Sequence, residues 1–212
     1  MDTFHARCAS VALSVLARYG FALAGGYAVQ LHGIVNRPSN DVDLFTDQPD
    51  EDKFRRAAAE AESAWRSDGL TVTYDLLSGS LARFEFSDGY GQMKAELSYD
   101  PRAESPVLLD IGPVLSRNDS VANKVLALYG RGEARDYIDV YSAADNGGYS
   151  NNELEKLAAA RDRGFHLPYF AQALRACQRH SDSNYVEYGF NSSQIAALRE
   201  YLLAWADEID SR

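Results

Sequence analysis

Cysteine is nearly absent from this chain of 212 residues: Cys8 and Cys177 are the only two, far apart and at no metal-ligand spacing. That argues against a disulfide framework or a zinc site and fits buried thiols in a reducing compartment. Long apolar runs are missing as well. No stretch reaches the roughly 20 residues a membrane helix needs. The start, Met1-Asp2-Thr3-Phe4-His5, lacks the basic and apolar pattern of a signal peptide. A cytoplasmic protein without membrane contact is the expectation. Basic residues are also in deficit, 21 Lys plus Arg against 31 Asp plus Glu, for a formal charge of −10. Strong overall attraction to nucleic acid is therefore not expected, and any RNA must be held locally, through a positive cleft and bound metal. The histidines His5, His32, His166 and His180 are scattered, which argues against a histidine metal cluster or a histidine-activated nucleophile.

What the chain does have is an alternation of helical and extended patterns. Val11, Leu13, Val15, Leu16 and Tyr19 give a first helix its apolar face, and Gly20 stops it before a short strand, Phe21 to Ala24. Asp50 to Arg66 reads as an Ala-rich helix closed by Gly69, and Leu70 to Tyr74 as a strand. Leu81 to Ser87 and Gln92 to Tyr99 flank Asp88-Gly89-Tyr90-Gly91, a hairpin signal, and Val107 to Ile111 adds a further strand. From Ser120 the pattern is helical, in five segments: Ser120 to Tyr129, Ala134 to Ala144, Asn151 to Arg163, Pro168 to Arg179 and Ser192 to Ile209. The fold class read from this is α+β, a mixed sheet with flanking helices and a C-terminal helical lobe. The expected division is a sheet domain over 1–115 and a helical lobe over 116–212 that completes the active site.

The most informative stretch is the twenty-one residues from Gly25 to Phe45. Gly25-Gly26 follows an apolar strand. Glycine lacks Cβ, so this pair can turn sharply and bring backbone N–H groups close to a triphosphate, at the positive end of a helix beginning near Tyr27. Asp41 and Asp43 lie two apart on the next strand, so both carboxylates project from one face, where hard oxygens suit Mg²⁺. Each half alone is commonplace, since a Gly pair is usually a turn and Asp-x-Asp often a solvated strand end. In this order and at this spacing they describe nucleotide transfer. Two metal ions need more oxygen ligands than one Asp-x-Asp supplies, and Glu96, on the strand Gln92 to Tyr99 with Lys94 and Ser98 on its face, is the candidate third carboxylate. Arg37, on the loop entering the Asp strand, offers a fork for phosphate oxygens. Lys124, on an otherwise apolar helix, offers a cation for a triphosphate or for departing pyrophosphate. Arg135 is spaced to reach Asp139 across one helical turn.

Three blocks carry a resemblance: Gly25-Gly26-Tyr27-Ala28-Val29-Gln30-Leu31-His32-Gly33; Arg37-Pro38-Ser39-Asn40-Asp41-Val42-Asp43-Leu44-Phe45; and Asn123-Lys124-Val125-Leu126-Ala127-Leu128 leading to Arg131 and Arg135-Asp136-Tyr137-Ile138-Asp139-Val140-Tyr141. In these the chain resembles the AbiEii/AbiGii toxin nucleotidyltransferases, including the MenT branch, within the DNA polymerase β-like superfamily. The likeness runs over roughly residues 20 to 145. Many relatives have Gly-Ser where this chain has Gly25-Gly26, which removes a serine contact. The fourteen residues between Gly26 and Asp41 are a long interval for the family.

The resemblance implies a fold, an activity and a set of roles. Asp41, Asp43, Lys124 and Asp139 become catalytic-site residues, with Asp139 orienting Lys124 or assisting deprotonation of the acceptor. Gly25, Gly26, Arg37, Ser39 and Arg135 become substrate-binding residues, and Asp41, Asp43 and Glu96 the ligands of two Mg²⁺ ions. The implied reaction moves a nucleotide from an NTP to the 3′ end of tRNA and so blocks aminoacylation. A cognate antitoxin is the implied partner, and Ser39, two residues before Asp41, is the position at which phosphorylation would silence the enzyme. Two other readings stand beside this one: transfer to an aminoglycoside or a protein hydroxyl, and a catalytically silent module that binds nucleotide or a partner.

Overall fold

The computed structural model describes residues 3–87 and 92–212, so the turn expected at Asp88-Gly89-Tyr90-Gly91 lies outside the described residues. The chain forms two compact units: Met1–Ala28 with Ser39–Ser116, and Val29–Pro38 with Arg117–Arg212. A division read from local patterns alone, 1–115 and 116–212, assigns residues 29–38 to the sheet. In the structure Val29, Ile34 and Val35 belong to the apolar core of the helical unit, a long-range preference that no local pattern encodes.

The first unit is a mixed seven-stranded sheet backed by two helices. Its strands are β1 (Ala22–Leu23), β2 (Asp41–Thr46), β3 (Thr71–Leu77), β4 (Leu81–Ser87), β5 (Gln92–Tyr99), β6 (Val107–Leu109) and β7 (Gly112–Val114), in the order β3-β4-β5-β2-β1-β7-β6. β2 runs parallel to β5 and β1 parallel to β7; the remaining pairs are antiparallel. The helices are α1 (Thr3–Leu16) and α3 (Glu51–Ser67). Alternation decides the faces. Val42 and Leu44 on β2, Ala95 and Leu97 on β5, and Phe84 and Phe86 on β4 are buried in one cluster with Leu13 of α1 and Trp65 of α3. Asp41 and Asp43 alternate with these and point the other way, only half-buried.

Local chemistry accounts for the boundaries. Gly20 adopts φ +75° and ends the turn that follows α1. The Asp50 carboxylate accepts from the Lys53 backbone N–H at 2.9 Å and so starts α3. β3 runs on to Leu77 through an irregularity between Tyr74 and Leu76, beyond the expected end at Tyr74. β7 had no sequence signal, because Gly112-Pro113-Val114 contains the two residues least suited to strands; it forms by pairing Val114 with Leu23.

The second unit holds α4 (Arg117–Gly130), α5 (Ala134–Asp145), α6 (Asn151–Arg161), α7 (Leu167–Arg175), α8 (Asp182–Val186) and α9 (Ser192–Asp210). Reciprocal capping boxes start α5 at Glu133/Asp136, α6 at Ser150/Glu153 and α9 at Asn191/Gln194. α6 stops at Arg161, short of the expected Arg163, where Asp162 turns extended. The last turn of the expected Pro168–Arg179 helix is a 3₁₀ segment, Ala176–Arg179. α8 is too short to show periodicity in sequence. The helix α2 (Gly25–Leu31) passes from one unit to the other at Ala28. No helix among the described residues is long and apolar enough to cross a membrane.

Trp65 is the test of the sheet core. It is fully buried, donates Nε1–H to the Cys8 carbonyl at 2.9 Å, and meets Phe84 and Phe86 edge-on at 4.9 and 4.7 Å between centroids. Trp65→Ala leaves a large cavity, and is expected to cost about 3–5 kcal/mol in a urea unfolding measurement.

Candidate active site

β1 and β2 pair antiparallel with Leu23 opposite Leu44, and the Ala24 N–H donates to the Asp43 carbonyl at 2.8 Å. This register brings Gly25, the residue leaving β1, against the Asp43 side chain. Gly25 has φ +61°, and a Cβ built on it falls 1.7 Å from Asp43 Oδ2 and 2.6 Å from Cγ. No other residue type fits. The Gly pair therefore has a role beyond the expected turn: its bare α-carbon is the space the Asp43 carboxylate occupies. Gly26 is buried directly behind it, and α2 begins at Gly25 itself.

The parallel partner β5 sets what stands beside the two aspartates. Asp41 lies opposite Lys94 and Asp43 opposite Glu96; β4 continues the rows with Glu85 opposite Lys94 and Arg83 opposite Glu96. The open face of the sheet thus carries two charged rungs, Asp41–Lys94–Glu85 with alternating signs and Asp43–Glu96–Arg83 with its two carboxylates adjacent. Lys94 Nζ stands 3.0 Å from Glu85 Oε1, and Arg83 Nε 2.8 Å from Glu96 Oε2. Hydrogen bonding and charge from Glu85, with a smaller contribution from Asp41, raise the Lys94 ammonium above its ordinary value. A pocket of about 400 Å³ opens along the first rung, lined by Asn40, Asp41, Thr71, Thr73, Glu85 and Lys94.

These residues fit a hard divalent cation. Mg²⁺ in phosphate-transfer sites is commonly held by one or two carboxylates, with water and substrate phosphates filling its octahedron, and Asp41 and Asp43 supply two on one face. Among the described residues no three His, Cys, Asp or Glu side chains converge on one ion position. Glu96, expected as the third ligand, is in register with Asp43 but bound to Arg83. A half-exposed pair of that kind is worth only about 0–1 kcal/mol, so it does not lock Glu96 away. Ser39 is half-buried before β2, and its carbonyl accepts from the Tyr27 hydroxyl at 2.6 Å.

In the second unit the expected residues assemble differently. Arg37 does not extend its fork outward. Its Nε and Nη2 donate to the two oxygens of Asp139, each at 2.6 Å, and Lys124 Nζ lies 3.2 Å from Asp139 Oδ2. Arg37, Lys124 and Asp139 are 5 %, 8 % and 1 % exposed, so this is a buried group of two cations around one anion. Tyr188 covers the Arg37 guanidinium at 5.5 Å from its ring centroid. No motif marks Tyr188, and sequence reading missed it. Arg135 does not pair with Asp139 as its spacing suggested: Arg135 Nη2 sits 2.9 Å from Glu133 Oε2, while the neighbouring Asp136 takes Arg131 and caps α5. The helical spacing was right for contact, but Asp139 faces inward, where Arg37 and Lys124 hold both oxygens.

Burial pushes the Asp139 carboxyl up, but the Lys124 and Arg37 charges more than offset it and leave the group below the usual carboxylate range. Burial likewise opposes the Arg37 charge, and Asp139 more than restores it. With the folded value of Asp139 depressed, its contribution to stability is complete above the unfolded value near 4 and is lost as pH falls through the folded value. Asp139→Asn strands two buried cations. It is expected to lower unfolding free energy at pH 7 by about 3–5 kcal/mol, and to flatten the wild-type decline below pH 4 in denaturant titrations repeated across pH.

Comparison with known proteins places the chain in a family. No curated protein is significantly similar to the chain. The crystal structure of JHP933 from Helicobacter pylori superposes with a TM-score of 0.59 at 18% identity, covering 98% of this chain and 91% of that one. A second H. pylori protein, proposed to be a nucleotidyltransferase, gives 0.61 at 16% identity, covering 100% and 96%. At such identities the likeness shows a shared fold. The family model for the nucleotidyl transferase AbiEii toxin of type IV toxin–antitoxin systems matches residues 13–207. The chain belongs to the AbiEii family of nucleotidyltransferase toxins.

Proposed function

We propose that this protein transfers a nucleoside monophosphate from an NTP to the 3′ end of tRNA, using Mg²⁺, and thereby blocks aminoacylation and translation in the cytoplasm. The observation that carries the reading is the fit of the Asp43 carboxylate into the space left by Gly25, beside Asp41 on the same strand face. Such a fixed carboxylate pair suits metal-assisted phosphoryl chemistry better than a solvated strand end does. When bound, Mg²⁺ lowers the pKa of the acceptor hydroxyl and stabilises the leaving pyrophosphate. Asp41 and Asp43 would hold it, with Glu96 joining if its pair with Arg83 opens.

The remaining roles fall to residues of this chain. Backbone N–H groups at Gly25-Gly26 bind triphosphate oxygens. The pocket beside Asp41, with the Lys94 ammonium, Thr71 and Thr73 in its lining, suits the sugar and phosphate of an acceptor end. Lys124 neutralises triphosphate or pyrophosphate charge. Asp139, with both oxygens engaged and almost no exposure, acts through Lys124 and Arg37 as a positioning residue rather than as a base. Ser39, two residues before Asp41 at the start of β2, and Arg135 are assigned to substrate contact, and the partner is a cognate antitoxin.

Incubation with each α-labelled NTP, Mg²⁺ and total tRNA, followed by 3′-end sequencing, tests this directly. Nucleotides added to tRNA 3′ ends are expected. Asp41→Ala and Asp43→Ala are expected to abolish incorporation without loss of fold. Lys124→Ala is expected to slow it by roughly a hundredfold or more, as for a lost preorganised charge. Near wild-type incorporation by either aspartate variant would overturn the metal assignment, and labelling of an aminoglycoside or a lysate protein in place of tRNA would move the reaction to another acceptor.

A further inference from the structure

The helical unit carries a second pocket, of about 390 Å³, lined by Tyr141, Tyr149 and Tyr201 together with Asp145, Asn151 and Ala197. No role described so far uses it. Tyr141 on α5 and Tyr201 on α9 meet edge to face, 5.6 Å between centroids and 67° between planes, and so form a corner. Two of the hydroxyls are already committed: Tyr149 Oη donates to Asn118 Oδ1 at 2.7 Å, and Tyr201 Oη donates to Asn151 Oδ1. Asn151 in turn donates to Glu208 at 2.8 Å. With its hydroxyl tied, the Tyr201 ring is fixed in orientation, and what it and Tyr141 offer a ligand is π surface; the Tyr149 ring already carries Arg117, 4.7 Å from its centroid.

Asp145, exposed at the end of α5, is the one charged residue in the lining. Asp145 stands four residues after Tyr141 on α5, on the same helix face, and lines the pocket with it; burial, and after it the Asp145 charge, hold the Tyr141 phenol above the ordinary value. Ring surface with a neighbouring carboxylate attracts cations, because the quadrupole and the formal charge act in the same direction. A nucleotide is a poor match, since the cation beside the pocket, Arg117, is engaged by the Tyr149 ring and the Gly147 carbonyl, and Asp145 repels a phosphate. The protein also shows which cation its tyrosines take. Arg117 lies 4.7 Å over Tyr149 and donates to the Gly147 carbonyl, Arg199 lies 5.4 Å over Tyr185, and Arg37 covers Tyr188. Planar guanidinium on phenol recurs through this unit.

We propose that the Tyr141–Tyr201 corner of this pocket, with Asp145 at its side, is a binding site for an arginine side chain presented by a partner protein. The net charge of −10 favours such a basic partner at long range, and the pocket gives one of its side chains a specific seat.

The test uses the full chain labelled with ¹³C-tyrosine, its ring signals assigned through Tyr141→Phe and Tyr201→Phe, and N-acetylarginine amide as the probe. Saturable shifts of the Tyr141 and Tyr201 rings at millimolar probe are expected. The uncharged citrulline analogue is expected to bind at least roughly tenfold more weakly, and Asp145→Asn, a surface change that leaves the fold intact by circular dichroism, to weaken the arginine probe about three- to tenfold. Equal binding of citrulline, no effect of Asp145→Asn, or no ring shift at millimolar probe would each overturn the proposal. AMP moving the rings where arginine does not would make the pocket a base-stacking site instead. Agmatine binding ten times more tightly than the amide would assign it to a free amine and remove the protein partner.

Discussion

The sheet unit of this molecule turns on one close approach, that of the Gly25 backbone to the Asp43 carboxylate. Pairing of β1 with β2 fixes both residues, and the Ala24 N–H to Asp43 carbonyl bond sets their height along the strands. The positive φ of Gly25 turns the chain at once into α2, so that a single position satisfies the turn, the helix start and the space for the carboxylate. A residue with a Cβ meets two penalties there. Left-handed backbone costs roughly 1–2 kcal/mol, and the clash with Asp43 forces the carboxylate or the strand pairing to move.

The second unit depends on a different compromise. Asp139 is buried where an isolated charge is prohibitive, and it is tolerable because Arg37 grips both oxygens and Lys124 adds a second cation. Two cations on one anion leave the group with net positive character, which is the property an anion-handling residue needs. The same arrangement ties the segment Val29–Pro38, which carries Arg37, to α5, which carries Asp139, and so helps decide to which unit that segment belongs.

Much of this was legible in sequence because it is written in local chemistry. Alternation marked the buried face of β2, leaving Asp41 and Asp43 on the other; helical patterning marked α3, α6 and α9; and the α+β class followed from the order of elements. What escaped is what depends on distant partners. The i,i+4 spacing of Arg135 and Asp139 suggested a pair, yet Arg37, 102 residues away in sequence from Asp139, takes its place. The fork of Arg37 read as a phosphate ligand, but burial of a guanidinium demands a carboxylate, and Asp139 provides one. Glu96 was correctly placed on the face of Asp43, while its bond to Arg83 could be known only once β4 and β5 were in register. β7 and α8 were silent, one for its Gly and Pro, the other for its length.

The proposed metal-dependent triphosphate site is formed by the Gly25 space and the Asp41–Asp43 carboxylates. Its most direct measurement is calorimetric titration of a non-hydrolysable NTP analogue into wild type and Gly25→Ala, with Mg²⁺ and with chelator. Binding by wild type only with Mg²⁺, and its loss in a folded Gly25→Ala, is the expected result. Equal binding by both proteins, or binding that persists in chelator, would contradict the proposal.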